Sequence, residues 1–193
     1  MIPFTEEAPG VFAFSLYDFV TCESIVERLK VADGWESAGV REGDGEGGYR
    51  NLQRPEVRTA SVLAGATAVE VVREFEERID GFIKPLIRDL WGVTLTKHAG
   101  TQIIRYGIGG HFDAHADAGY DLQERYFSVL CYLNDDYEGG STSFASLRYS
   151  TTPRRGKAVI FPSRYLHCAE PVTVGEKYVL LSWVNGPVPI KWI

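Results

Sequence analysis

The chain has 193 residues, of which 45% are hydrophobic and 24% charged, and its net charge is −6. This is the size and composition of one soluble globular domain, large enough to bury about 70% of the surface of its unfolded chain. It contains no low-complexity tract or internal repeat, and the acidic balance argues against nonspecific binding of nucleic acids.

Targeting signals and disulfides are not expected. No run approaches the roughly 20 apolar residues of a membrane span, and the first residues lack the basic and apolar regions of a secretory signal. The odd number of cysteines, Cys22, Cys131 and Cys168, fits unpaired thiols in a reducing compartment. We therefore expect a cytoplasmic protein that contacts neither membranes nor nucleic acids. The sequence does not specify an oligomeric state.

The N-terminal part of the chain predicts a strand, a helix and a loop. Aromatic residues within residues 12–19 predict a strand. A helix is expected to begin near Thr21 and to end at Gly34. Residues 43–48 alternate glycine with acidic residues, a pattern that predicts a surface loop rather than part of a core.

A long amphipathic helix is predicted next. Residues 67–70 read as a capping box, and apolar residues then recur at three- and four-residue steps as far as Leu90. Gly81 and Pro85 interrupt this pattern, and proline cannot continue the hydrogen bonding of a helix interior. We therefore expect the helix to bend near these two residues.

After Gly100 the pattern changes to short strands separated by turn residues. The predicted strands cover residues 101–106, 126–134, 142–145, 157–161 and 177–184. Short strands at this spacing favour a jelly-roll sandwich. The expected fold class is therefore α+β with a β core.

Three residues are candidate metal ligands, His115, Asp117 and His167. Residues i and i+2 of a strand point the same way, so His115 and Asp117 would converge on one point. Two histidines and one carboxylate on one face of an octahedral ion leave three positions open, which suits a non-haem Fe(II) centre that activates O2. A closed structural zinc site needs a fourth protein ligand, and the cysteine spacing offers none.

A second His-x-Asp pair, His111 and Asp113, lies just before the first. Residues 111, 113, 115 and 117 would share one strand face, so strand periodicity does not choose between the pairs. A zinc hydrolase built on His111 and His115 is a further alternative, but it lacks the helix-borne His-Glu-x-x-His motif of such enzymes.

Lys177 is predicted to point into an apolar environment. On a strand it would share a face with Val179, Leu181 and Trp183. An ammonium without a counter-ion in such a place is costly, and Glu176 would point to the other side of the strand. A bound carboxylate would serve as the counter-ion.

Residues 58–184 resemble the prolyl 4-hydroxylase-like branch of the Fe(II)/2-oxoglutarate-dependent oxygenase superfamily. The shared stretches, in matching order and spacing, are Arg58-Thr59, Arg105-Tyr106 with Gly109, His115-Ala116-Asp117, Tyr132-Leu133-Asn134, residues 139–144, Pro153 with Gly156, Phe161-Pro162, Leu166-His167 and residues 172–183. The resemblance implies one oxygenase domain over residues 1–193. Residues 97–193 would form a catalytic double-stranded β-helix, a jelly-roll of the cupin type. Residues 1–96 would form a strand-helix-loop-helix support region with its helices packed on one sheet.

The resemblance also chooses between the two His-x-Asp pairs. In similar proteins the ligand histidine lies nine residues after the tyrosine of a Tyr-x-x-Gly stretch, and His115 lies nine residues after Tyr106. The implied Fe(II) ligands and catalytic residues are therefore His115, Asp117 and His167. The earlier pair would line the pocket, support the ligands indirectly or lie on the surface.

The resemblance assigns the cosubstrate site as well. Lys177, helped by Tyr132, would bind the far carboxylate of 2-oxoglutarate, and Tyr106 resembles a further cosubstrate contact. The alternative for Tyr132 is a buried aromatic whose hydroxyl has found a partner. Cys168 follows His167 directly, so on a strand we expect it to face away from the ligands and to have a packing role.

The function implied by the resemblance is a dioxygenase that uses Fe(II), 2-oxoglutarate and O2, with ascorbate as an accessory reductant. It would hydroxylate an unactivated C–H bond of a prolyl, amino-acid or peptidyl substrate and release succinate and CO2. Because related halogenases lack the carboxylate ligand, retention of Asp117 favours hydroxylation. The glycine-rich loop at residues 43–48 would be a lid, or else a surface turn. The competing functions are a small-molecule tailoring oxygenase of the same fold and a noncatalytic cupin-like sensor of a metal or 2-oxo acid.

Overall fold

The structure is a computed structural model that describes residues 3–43, 49–63, 68–119 and 122–187. These residues form three α-helices and seventeen strands, numbered along the chain. The helices are α1 (Phe19–Lys30), α2 (Val69–Arg78) and α3 (Lys84–Trp91). The strands are β1 (Phe4–Ala8), β2 (Val11–Ser15), β3 (Trp35–Ser37), β4 (Val40–Gly43), β5 (Tyr49–Leu52), β6 (Arg58–Thr59), β7 (Ser61–Leu63), β8 (His98–Tyr106), β9 (His111–His115), β10 (Arg125–Tyr132), β11 (Glu138–Gly139), β12 (Thr142–Phe144), β13 (Tyr149–Thr151), β14 (Lys157–Pro162), β15 (His167–Ala169), β16 (Val172–Val174) and β17 (Lys177–Asn185).

Two antiparallel sheets form the centre of the molecule. The larger has eight strands in the order β1-β2-β14-β10-β17-β8-β7-β3, and the smaller has five in the order β13-β12-β15-β9-β6. Two further pairs, β4 with β5 and β11 with β16, make short ribbons. This is the β core of the predicted α+β fold.

The larger sheet is covered on both faces, which explains why its central strands are apolar throughout. Along β10, Val129 and Cys131 pack in one apolar cluster with helical residues such as Phe75. The alternate residues Leu130 and Tyr132 pack in a second cluster that includes residues of the smaller sheet. Because successive strand residues face opposite sides, one layer lies under the helices and the other between the sheets. The predicted packing of the helices on one sheet is thus confirmed.

The first predicted strand is too long. β2 ends at Ser15, and α1 begins at Phe19 rather than near Thr21. The reason is Asp18, whose side chain accepts a hydrogen bond from the backbone N–H of Thr21 at 2.7 Å and caps the helix. Periodicity alone did not reveal this cap.

At the position of the predicted bend, the structure has a π-helical turn, Ile79–Ile83, between α2 and α3. The backbone N–H of Lys84 donates to the carbonyl of Ile79, five residues earlier. Pro85 then stands in the first turn of α3, where its missing N–H has no helical partner to lose. The predicted capping box depends on Thr67, which lies outside the described residues, so it stays a prediction; α2 begins after Ala68, which provides no side-chain cap.

Residues 1–96 contribute strands as well as helices. β1, β2, β3 and β7 belong to the larger sheet, and β6 to the smaller. The division into a support region and a catalytic core therefore stays a prediction. The predicted loop at residues 43–48 lies outside the described residues apart from Gly43, which ends β4. No helix in the described ranges combines the length and the apolar character needed to cross a bilayer.

Candidate metal centre and cosubstrate pocket

Pairing between β9 and β15 brings two histidines together. The strands run antiparallel, with His167 directly opposite His115. Directly opposed residues project to the same side of a sheet with Cβ atoms about 5 Å apart. The two imidazole rings accordingly have centroids 4.4 Å apart.

Asp117 completes the cluster from outside the strand. The expectation that His115 and Asp117 share a strand face is wrong, because β9 ends at His115. Asp117 lies in the following turn, where its backbone N–H donates to the carbonyl of Ser163 at 2.8 Å. Its carboxylate nevertheless reaches both rings: Oδ1 is 3.5 Å from His115 Nε2, and Oδ2 is 3.5 Å from His167 Nε2. The three potential ligand atoms lie within 4.8 Å of one another.

Both histidines are held in the tautomer that a metal requires. His115 Nδ1 lies 2.7 Å from the carbonyl oxygen of Asp113, and His167 Nδ1 lies 2.9 Å from that of Tyr165. A carbonyl oxygen can only accept, so each Nδ1 carries the hydrogen. The lone pair of each neutral ring is therefore on Nε2, the atom that faces Asp117.

Burial and charge set the protonation of the cluster. Burial lowers the pKa of His167 to about 4, so this ring is neutral at pH 7. Burial raises the pKa of Asp117, but attraction to the protonated forms of His167 and His115 and a hydrogen bond from Ser128 outweigh it and hold the pKa well below its usual range. The cluster therefore presents an ionised carboxylate beside imidazole nitrogens, a donor set that fits Fe(II).

The second His-x-Asp pair is not part of the cluster. Asp113 points outward, with 61% of its side chain exposed. His111 Nδ1 lies 3.0 Å from the carbonyl oxygen of Gly109, in the turn before β9. Of the two pairs, the structure brings His115 and Asp117 to His167.

Lys177 is buried as predicted. It is 1% exposed, and its Nζ donates to the carbonyl of Gly140 at 2.7 Å. The ammonium lies 4.7 Å from the ring centre of Tyr106 and 5.4 Å from that of Tyr132. Among the residues that the structure describes, no carboxylate acts on this ammonium. Burial without a counter-ion lowers the pKa of Lys177 to about 7.

The two predicted tyrosines differ in position. Tyr106 is directly opposite Lys177 in the pairing of β8 with β17 and lines the same cavity. Tyr132 is fully buried, and its hydroxyl forms a 2.7 Å hydrogen bond with Thr142 Oγ1. Thr142 also lines the cavity. The hydroxyl of Tyr132 is therefore hydrogen-bonded to a residue that lines the cavity.

One cavity between the two sheets is lined both by the three candidate metal ligands, His115, Asp117 and His167, and by Lys177. Its walls are mostly apolar, formed by residues that include Ile104, Leu130, Phe161, Val179, Leu181 and Trp183. The face of β17 that carries Lys177 is therefore the predicted apolar face. A mostly apolar cavity that holds the ammonium of Lys177 as well as the candidate metal ligands fits a small anionic molecule.

Sequence reasoning missed two groups at the site. Arg58 is buried in the cavity wall, with its guanidinium 4.6 Å from the ring centre of Phe112. Ser128 donates to Asp117 Oδ2 at 2.6 Å, and its even spacing from Tyr132 on β10 could have indicated the shared face. Cys168 adjoins the cavity, and its Sγ donates to Glu170 Oε1 at 3.4 Å; it is paired with Ser143 rather than with the cavity-lining Thr142.

Comparison with known families and proteins gives a consistent result. Residues 101–185 match the model of the 2OG-Fe(II) oxygenase superfamily. The chain is 30% identical over 130 residues to prolyl 4-hydroxylase subunit alpha-1 of Gallus gallus, an alignment that covers 58% of this chain and 25% of that protein. It is 37% identical over 98 residues to a PKHD-type hydroxylase of Sphingopyxis alaskensis, covering 45% of this chain and 44% of that protein. The chain thus spans less than half the length of these relatives.

Solved structures share its fold. A prolyl-4-hydroxylase from Pseudomonas putida superposes with a TM-score of 0.67 at 15% identity, covering 91% of this chain and 92% of that one. A prolyl hydroxylase from Trichoplax adhaerens, in complex with a peptide fragment of the hypoxia inducible factor oxygen degradation domain, gives a TM-score of 0.73 at 16% identity, with 91% and 83% covered. At these identities the likeness concerns the fold.

Proposed function

We propose that this chain is an Fe(II)- and 2-oxoglutarate-dependent dioxygenase that hydroxylates an unactivated C–H bond, because residues 101–185 match the 2OG-Fe(II) oxygenase superfamily and the similar proteins include prolyl 4-hydroxylases. The family implies Fe(II), 2-oxoglutarate and O2. The observation that carries the proposal is the single cavity that combines a His-Asp-His cluster with a buried ammonium lacking a carboxylate partner among the described residues.

In this proposal His115, Asp117 and His167 hold the ion on one side. Three protein ligands on one face leave the remaining positions for a chelating cosubstrate and O2. Bound Fe(II) supplies the redox chemistry by which 2-oxoglutarate and O2 give succinate and CO2 while a substrate C–H becomes C–OH. The backbone carbonyls on His115 Nδ1 and His167 Nδ1 keep both rings oriented during this chemistry.

Lys177 binds the far carboxylate of 2-oxoglutarate. Its ammonium has three N–H groups, of which the carbonyl of Gly140 accepts one. The others are available to a carboxylate, with Tyr106 and the pair of Tyr132 and Thr142 nearby. The apolar walls would limit the access of water to this ion pair, which strengthens it.

The proposed substrate is a prolyl residue, a free amino acid or a peptidyl residue. The support is similarity to proteins named as prolyl 4-hydroxylases and the shared fold with a peptide-bound prolyl hydroxylase. A small-molecule tailoring oxygenase would use the same residues, so the products must distinguish the two. A noncatalytic sensor would bind metal and 2-oxoglutarate without turnover.

The test is succinate formation by the purified protein. With Fe(II), ascorbate, 2-oxoglutarate and a panel of free amino acids and proline-containing peptides, we expect succinate together with a product 16 mass units heavier than one panel member. Hydroxylation only within a panel of specialised metabolites would favour the tailoring alternative. Metal-dependent 2-oxoglutarate binding with no succinate from any panel would favour the sensor.

The choice of ligands has its own test in a matched pair of variants. Asp117→Ala should abolish binding of Mn(II), a redox-stable probe of the site, and with it all succinate formation. Asp113→Ala removes an exposed carboxylate two residues before the ligand His115 and should leave both unchanged. Loss of Mn(II) binding in the Asp113 variant alone would show that the ligand assignment is wrong.

A further inference from the structure

The carboxylate of Asp117 is held by a buried hydroxyl from the opposite sheet. Ser128 Oγ donates to Asp117 Oδ2 at 2.6 Å, and Ser128 is fully buried. Ser128 lies on β10, a central strand, where it is paired with Phe161 on one side and Trp183 on the other. The hydroxyl is therefore fixed by a rigid element, whereas Asp117 stands in a turn.

A second serine, Ser163, continues this hydrogen-bond chain, and the carboxylate fixes the direction of both bonds. Ser163 Oγ lies 2.9 Å from Ser128 Oγ and is also fully buried. An ionised carboxylate only accepts, so the single proton of Ser128 points to Asp117, and Ser163 donates to Ser128. The carbonyl of Ser163 also accepts the backbone N–H groups of Asp117 and Ala118, at 2.8 and 3.0 Å. Ser163 thus holds the backbone of the turn while Ser128 holds its carboxylate.

We propose that Ser128 is a positioning residue that presents Oδ1 of Asp117 to the metal. The 2.6 Å contact is a charge-assisted hydrogen bond, roughly twice as strong as a neutral one. It engages Oδ2, which lies 3.5 Å from His167 Nε2, and leaves Oδ1, 3.5 Å from His115 Nε2, as the oxygen that receives no hydroxyl hydrogen bond. Without this hydrogen bond, the carboxylate of Asp117 can rotate about its side-chain bonds. It then either binds the ion through both oxygens or no longer binds it. This inference rests on the metal site of the proposed function but not on any substrate.

A buried serine on the neighbouring strand provides the control. Ser182 on β17 is equally buried, is paired with Val129, and forms hydrogen bonds with His98 and Thr101. None of these groups is a candidate metal ligand. Removing its hydroxyl should lower stability as much as removing that of Ser128, without an effect on metal binding.

The experiment measures Mn(II) affinity and the visible spectrum of the Co(II)-loaded protein. We expect Ser128→Ala to weaken Mn(II) binding about 10–100-fold and to change the Co(II) spectrum, because the carboxylate geometry changes. Ser128→Thr should restore both, and Ser182→Ala should leave both unchanged. If the alanine variant fails to fold, Ser128→Val replaces it in comparison with Ser128→Thr, since these two side chains differ only in the hydroxyl.

Two results would overturn the inference. One is a folded Ser128→Ala or Ser128→Val variant with the wild-type Mn(II) affinity and Co(II) spectrum. The other is an equal loss of affinity in Ser182→Ala, which would show a general loss of core structure. Mn(II) binding by the wild type, and its loss in Asp117→Ala, separate this inference from the proposed function. If the wild-type protein does not bind Mn(II), both are overturned. If it binds Mn(II) but substitution of Ser128 has no effect, the inference alone is overturned.

Discussion

At the scale of single residues, two buried charges in the cavity have different surroundings. Asp117 has two imidazoles and the hydroxyl of Ser128 around its carboxylate, and its pKa is held well below the usual range. Lys177 has one carbonyl, and burial lowers its pKa to about 7. The cavity therefore stabilises the charged form of Asp117, whereas the charged form of Lys177 would be stabilised by a bound anion.

Binding of 2-oxoglutarate should weaken as the pH rises above 7. The proton on Lys177 is lost above its lowered pKa in the empty protein, whereas a bound carboxylate favours the charged form and raises the pKa again. Affinity should then fall by up to about tenfold per pH unit. Calorimetric titration between pH 6.5 and 9 with saturating Mn(II) measures this, with Lys177→Met as a weak and pH-independent control. A pH-independent wild type would contradict the role of Lys177.

The same lysine should lower the stability of the empty protein. Its pKa is about 7 when folded and near 10.5 when exposed. Between these values the unfolded chain binds more protons, so the free energy of unfolding rises with pH over this window. Lys177→Met should raise the free energy of unfolding by roughly 1–3 kcal/mol at pH 6.5, and less at pH 9.5. Urea denaturation at both values measures it; a variant less stable than the wild type at pH 6.5 would refute it.

At the scale of elements, a turn at the end of β11 positions the acceptor for Lys177. Gly139 and Gly140 both have positive φ, +74° and +62°. A Cβ on Gly139 would lie 2.3 Å from the backbone oxygen of Pro171, and one on Gly140 would lie 3.1 Å from Cδ of Lys177. Glycine at both positions lets β11 approach β16 and lets the carbonyl of Gly140 reach the ammonium.

Gly139→Ala should therefore disturb both stability and cosubstrate binding. We expect a loss of more than about 2 kcal/mol, because a backbone clash adds to the roughly 1–2 kcal/mol cost of a left-handed alanine. Gly109→Ala is the matched control: its φ is +77°, but no atom lies within 4 Å of the added Cβ. The control should show the left-handed cost alone. Equal denaturation midpoints and equal 2-oxoglutarate affinities for the two variants would refute this role of the turn.

At the scale of the whole molecule, the site joins the two sheets. His115 and His167 come from the smaller sheet, and Lys177 and Ser128 come from the larger one. Asp117 lies in a turn tied to Ser163, which follows β14 of the larger sheet. A metal and a cosubstrate bound here would contact both layers of the sandwich.

Ligand binding should accordingly stabilise the entire fold. Mn(II) at 100 times its dissociation constant should add about 2.7 kcal/mol to the free energy of unfolding, and 2-oxoglutarate should add more. Thermal denaturation with and without EDTA measures the shift, which chelation should reverse. Asp117→Ala should show no shift with Mn(II); a shift that persists in this variant would place the ion elsewhere.

Much of the fold was predictable because local periodicity encodes it. The apolar strands β10 and β17 follow from their runs of apolar residues, and the interruption of the helix before α3 follows from Gly81 and Pro85. The start of α1 was not predicted, because a single hydrogen bond from Asp18 decides it. Several strands of two or three residues, among them β6 and β15, have too few residues for a periodic pattern and exist through pairing with β9.

The sequence by itself determined the chemical groups of the site: the candidate ligands His115, Asp117 and His167, and a lysine on an apolar strand face. Tertiary structure decided their arrangement. It placed Asp117 on a turn beyond β9, set Ser128 against its carboxylate and left Lys177 with a carbonyl as its hydrogen-bond partner. The physical reason is that side-chain alternation is a local property of a strand, whereas contacts between distant segments depend on which strands pair and in which register.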